Sequence, residues 1–101
     1  YLFYSVGDMG AGQFYNTERT IKSQLTNSYE GKILRFNLEE DGDAAQNIGA
    51  RSVNYNRWIP SGAGVAGNPY NNVAPVVGQS AVWSIGHRNV QGLAYGNGKI
   101  Y

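Results

Sequence analysis

The chain has no cysteine, three prolines, one histidine and one methionine among its 101 residues. Without cysteine there can be no disulfide framework and no thiolate metal site, while the compartment stays open. Charged residues are scarce at 15%, and they nearly cancel, to a formal net charge of +1. No run of lysines or arginines forms, so the electrostatic footprint of a nucleic-acid binder is missing. No apolar stretch approaches the roughly twenty residues that a helix needs to span a bilayer. The length suits one domain.

What the chain has instead is glycine and tyrosine, fourteen and eight of them. Aromatic and β-branched side chains pack well on pleated surfaces, and Gly and Asn supply turn geometries, so the composition predicts an all-β chain rich in turns. Alternation places a strand near residues 1–6, with Leu2, Tyr4 and Val6 on one face, and a second strand is read near 32–38, closed by the acidic turn Glu39–Asp43. Further strands are expected near 81–85, 91–95 and 98–101, the last entered through an Asn97-Gly98 hairpin turn. Phe14, Ile21, Leu25 and Tyr29 fall at helical spacing, which predicts a short helix within 14–29, capped by Asn16 or Thr17. From about 40 to 79, Gly, Asn, Ala, Ser and Pro dominate, and Asn68-Pro69 and Ala74-Pro75 interrupt regular structure. This reads as a long irregular insertion. Both termini fall within strand-like runs, Tyr1–Val6 and Lys99–Tyr101, so the chain is expected to be an internal fragment of a longer protein. The similarity of those two runs suggests one period of a repeat of short strands, as in a propeller.

Two motifs can be set aside. Gly62-Ala63-Gly64-Val65-Ala66-Gly67 has the spacing of a dinucleotide-binding loop, but Ile59-Pro60 precedes it and Asn68-Pro69 follows. No helix can open there to hold a pyrophosphate. Glu39-Glu40-Asp41-Gly42-Asp43 lacks the alternate ligands and distal glutamate of a calcium loop and reads as a solvated turn. Asp8, where the first strand ends in glycines, is either a turn residue bonding its own backbone or a carboxylate held to orient a histidine. His87-Arg88-Asn89 is richer. A cationic fork beside an amide suits a planar ligand bearing oxygens or carboxylates, and a polar corner between strands is the equal alternative.

Val82-Trp83-Ser84-Ile85-Gly86-His87-Arg88-Asn89-Val90-Gln91-Gly92-Leu93-Ala94 resembles the Gly-His-Arg-Asn-Pro-Gln-Gly-Leu-Ala signature of the glucose/sorbosone dehydrogenase family. These are soluble sugar dehydrogenases that depend on pyrroloquinoline quinone (PQQ). Tyr4–Gly10 resembles that family's strand ending in Gly-Asp-x-Gly, and Gly31–Asn37 its Gly-Lys-(Val/Ile)-Leu-Arg strand. The resemblance implies a six-bladed β-propeller, of which residues 1–101 form about one blade's worth of strands. It also implies oxidation of an aldose at C1 to the lactone, with hydride passing to PQQ. Arg88 and Asn89 match the family's cofactor-binding pair. Asp8 matches the aspartate that supports a histidine base, which would lie upstream of this chain. Gln13 falls where the family has a sugar-contacting glutamine. Calcium ligands would lie beyond Tyr101, and residues 1–101 alone are expected to be inactive. Val90 stands where the family has proline, which removes no functional group. A periplasmic or secreted location is implied, with an aldose as substrate. The electron acceptor is left unspecified, and homo-oligomerisation is left open. The alternative is a non-catalytic propeller that binds a protein or a glycan, for which the 40–79 segment would serve.

Overall fold

A computed structural model of the chain describes residues 1–8, 20–40, 48–61, 67–87, 90 and 92–100. The described chain is mostly strand and turn, with antiparallel pairing throughout. Strand β1 (Leu2–Val6) pairs with β2 (Lys32–Phe36), and β2 pairs with β3 (Val82–Ser84), giving a sheet in the order β1-β2-β3. A short hairpin, β4 (Tyr95–Gly96) and β5 (Lys99–Ile100), forms a second sheet. Its turn places Asn97 and Gly98 at φ of 51° and 73°, the left-handed geometry that an Asn-Gly turn supplies. Helix α1 (Val53–Arg57) is one turn and a half, opened by Ser52, whose hydroxyl accepts the Tyr55 N–H at 3.2 Å.

Period-two alternation gives the β1-β2-β3 sheet two distinct faces. Leu2, Tyr4 and Val6 lie opposite Phe36, Leu34 and Lys32. On this face Leu34 joins Ile59, Ala81 and Val82 in a buried core, flanked by Val6, Phe36, Tyr55, Tyr70 and Ile85. Full burial of side chains like Ile59 and Val82 is worth about 1.5–3 kcal/mol each. The opposite face holds a cation between rings. Arg35 sits 4.4 Å from the Trp83 ring and 4.6 Å from that of Tyr1, and Phe3 meets Trp83 edge-on at 5.7 Å. Burial pulls the Arg35 guanidinium below its ordinary pKa, with the nearby Tyr1 acting the other way. Its Nε donates to Asn68 Oδ1 at 2.7 Å, which offsets part of the lost hydration.

The segment after β2 is held by side-chain amides rather than by a ladder. Gln79 is fully buried; its Nε2 donates to the Asn56 and Ile59 carbonyls, and its Oε1 accepts the Ile48 N–H. Asn68 donates to the Arg35 and Ser80 carbonyls, and Asn71 donates to the Pro60 carbonyl while accepting the Ser80 N–H. Each amide carries both donors and acceptors, so it can replace the backbone partners that irregular chain lacks.

Several expectations change here. Residues 20–29 run through turns at Ser23-Gln24 and Thr26-Asn27, with no helix; Phe14, Asn16 and Thr17 lie outside the described residues. The reason is local: Leu25 N–H donates to Lys22 O at 3.0 Å, a tight turn that spends the donor a helix would use. Of the strand expected near 91–95, the described residues place Tyr95 in β4, where Tyr95 pairs with Ile100 and Gly96 with Lys99; Gln91 lies outside the described residues. Helix α1 falls inside the stretch expected to be irregular.

Candidate functional site

Because both pairings are antiparallel, the end of β1, the start of β2 and the end of β3 share one edge of the sheet. That edge gathers Gly7-Asp8, Gly31-Lys32 and Gly86-His87. These belong to the three stretches that carry the family resemblance, and they meet at one residue. The Gly31 N–H donates to the Gly7 carbonyl at 3.1 Å, and the Gly31 carbonyl accepts the His87 N–H at 3.0 Å. One glycine therefore ties the residue before Asp8 to the residue before Arg88.

Only glycine fits there. Gly31 has φ of 68°, and a Cβ at that position would lie 2.2 Å from the His87 carbonyl oxygen and 2.6 Å from Ser23 Cβ. The backbone of residue 31 thus presses directly on the peptide that leads into Arg88. Next to it, Gly86 donates its N–H to the Ser23 carbonyl at 2.7 Å. Gly86 has φ of 85°, and a Cβ there would fall 2.8 Å from Gln24 Nε2, so the Gln24 amide lies over this glycine.

His87 is fixed at both ends. Its backbone N–H is held by Gly31, and its ring Nε2 lies 2.8 Å from the Ser84 hydroxyl. The imidazole thus braces the corner after β3. Asp8 is buried, at 6% exposure, at the same edge. Arg88, Asn89 and Gln13 lie outside the described residues.

Lys32 is a residue whose role the alternation pattern hides. It reads as one position of a strand, yet it is fully buried, and its Nζ donates to the carbonyls of Lys22 and Glu30 at 2.6 and 2.7 Å. Burial lowers its pKa below the ordinary lysine value, partly offset by the nearby Glu30 carboxylate. Ser23 and Gln24 also belong to the edge. Their signal in sequence is faint, because nothing in the polarity of residues 20–30 marks a loop that packs on a strand end.

The model of the glucose/sorbosone dehydrogenases matches residues 38–101, which is 64 of the 101 residues. The chain belongs to this family. The match takes in the whole of Val82–Ala94, whereas Asp8, Gly31 and Lys32 precede it. No curated protein and no solved structure matches the chain. The family is one of sugar dehydrogenases, and so of oxidoreductases. No helix among the described residues is long and apolar enough to cross a membrane.

The donor chemistry of the residues that follow this corner in sequence fits a planar ligand that carries carboxylates, as a quinone cofactor of that kind would. Arg88 offers five N–H donors in a planar fork, and Asn89 adds an amide with both donor and acceptor. They follow a corner fixed by Gly31, Ser23 and Ser84. A metal ion is a different matter. Among the described residues no three His, Cys, Asp or Glu side chains gather to hold one. Glu40, from the acidic turn, instead faces Arg57 at 3.7 Å on the surface.

Proposed function

We propose that this chain forms part of a PQQ- and calcium-dependent aldose dehydrogenase built on a six-bladed β-propeller. The enzyme oxidises the sugar at C1 to the lactone and works in the periplasm or outside the cell. The observation that carries the reading is the family match across Gly86–Ala94. The convergence of all three resembling stretches on Gly31 supports it.

When bound, PQQ supplies a carbonyl that accepts hydride, chemistry that no side chain can perform. The work assigned to this chain is binding and orientation. Arg88 holds cofactor oxygens through its fork, and Asn89 adds a second, directional hydrogen bond. Donors fixed beforehand stabilise negative charge as it develops on an oxygen, because they need no reorganisation at that moment. Asp8 holds the Nδ1–H of a histidine supplied by the rest of the protein, so that Nε2 faces the sugar hydroxyl as a base. Burial of Asp8 at the strand end suits this, since it shields the carboxylate from solvent. Gln13 takes a sugar hydroxyl. Calcium, in this reading, is held by parts of the protein other than the described residues.

The test is PQQ titration of the full-length protein, followed by fluorescence quenching. Arg88→Ala should weaken binding by roughly tenfold or more, as expected for a lost charge-assisted pair, while Glu40→Ala should leave it unchanged. Equal affinity in wild type and Arg88→Ala would overturn the assignment. No PQQ binding by the wild type would overturn the reading as a whole.

A further inference from the structure

Lys32 is the fully buried charged residue at the edge that leads into Arg88. Its ammonium holds two carbonyls, Lys22 O and Glu30 O, which bracket the loop between them. Ser23 lies within that loop, itself buried, and its carbonyl accepts the Gly86 N–H two residues before Arg88. The same loop lays the Gln24 amide over Gly86. The chain of contacts therefore runs from Lys32 Nζ to the loop ends, to Ser23 O, to Gly86 N–H, and so to the corner that carries Arg88 and Asn89.

Stability alone is a poor account of this lysine. Taking an ammonium out of water is costly, and burying charge is often no better for stability than an apolar side chain of similar size. What a charge does provide is short, directional bonds to two carbonyls at once, which an apolar side chain cannot make. The ion pair between Lys22 and Glu30, at 3.9 Å and partly exposed, would not hold the loop unaided. We infer that Lys32 is a positioning residue for the Arg88–Asn89 pair, acting through the 22–30 loop. The inference rests on the reading of that pair as cofactor-binding.

Two readouts on the full-length protein test it, the first without cofactor. Hydrogen exchange at the Gly86 and His87 amides should speed up about tenfold or more in Lys32→Met, as the carbonyl clamp is lost. PQQ affinity should fall by a similar factor, and Lys32→Arg, which keeps a cationic donor, should recover most of both. Val76→Ala, a buried substitution away from this edge, is the control for general destabilisation and should leave both readouts near wild type. If Lys32→Met does not fold, Lys32→Gln carries the same expectation with a shorter, neutral donor. Unchanged exchange at Gly86 and His87 in the lysine variants overturns the inference, as does an equal effect from Val76→Ala. Faster exchange in a protein whose wild type binds no PQQ would uphold the loop clamp and remove only the cofactor reading.

Discussion

Replacing Gly31 by alanine should undo the candidate site and much of the fold around it. The added methyl would sit 2.2 Å from the His87 carbonyl oxygen, 2.6 Å from Ser23 Cβ and 2.9 Å from Ser23 Cα. Two of these three atoms are backbone, so no rotamer change relieves the clash. Forcing an alanine to φ of 68° costs about 1–2 kcal/mol. Overpacking of this kind typically adds about 1–3 kcal/mol. If the strand ends part, the bonds to Gly7 and His87 go too, at about 1 kcal/mol each. The expected loss is therefore about 4–7 kcal/mol, a large share of the roughly 5–15 kcal/mol that holds a typical domain. Gly98→Ala separates backbone strain from the clash: Gly98 has φ of 73°, but a Cβ there meets nothing within 4 Å. It should cost only the conformational part, about 1–2 kcal/mol. Urea denaturation of the full-length protein measures both. Equal midpoints for the two variants would refute the reasoning.

Further outcomes follow from the same geometry. Gln79→Ala removes the acceptor of the Ile48 N–H and the donors to the Asn56 and Ile59 carbonyls, of which the Asn56 carbonyl keeps the Ile59 N–H, and should cost about 2–3 kcal/mol by denaturation. A loss under about 1 kcal/mol would mean that the amide network does not order this segment. Burial, with help from the Tyr55 hydroxyl, holds the Tyr29 phenol well above the ordinary tyrosine pKa. Its raised pKa contributes stability that is complete below about pH 10, the unfolded value, and is lost as pH climbs beyond it. Wild type should therefore lose stability faster than Tyr29→Phe above about pH 10, and parallel curves would contradict this.

The strands that carry the site were legible as short strand-like runs. Leu2, Tyr4 and Val6 declare themselves by period two, and Lys32–Phe36 by a brief apolar-rich run that stops at an acidic turn. The Asn97-Gly98 turn was legible for the same kind of reason, since few pairs take positive φ so readily. The segment between β2 and β3 was not, because its order comes from Gln79, Asn68 and Asn71 bonding to backbone, and hydrophobic patterning is blind to amides used inward. Helix α1 is too short to show a period. At the site, the motif around His87 and Arg88 drew attention through its residue types. Gly31 and Lys32 did not, since their roles depend on contacts with residues more than fifty positions away or on a loop closing over a strand end. His87, the residue whose chemistry stands out most in the sequence, is bonded into the corner by Ser84 and Gly31.

The most direct test of the account is turnover. The full-length protein, reconstituted with PQQ and Ca²⁺, should reduce an electron-accepting dye when given aldoses, with lactone formed in step with dye consumed. Arg88→Ala should lose most of that rate. Absence of dye reduction across a panel of hexoses and pentoses, from a folded protein that also fails to bind PQQ, would contradict the assignment of a sugar oxidation to this chain.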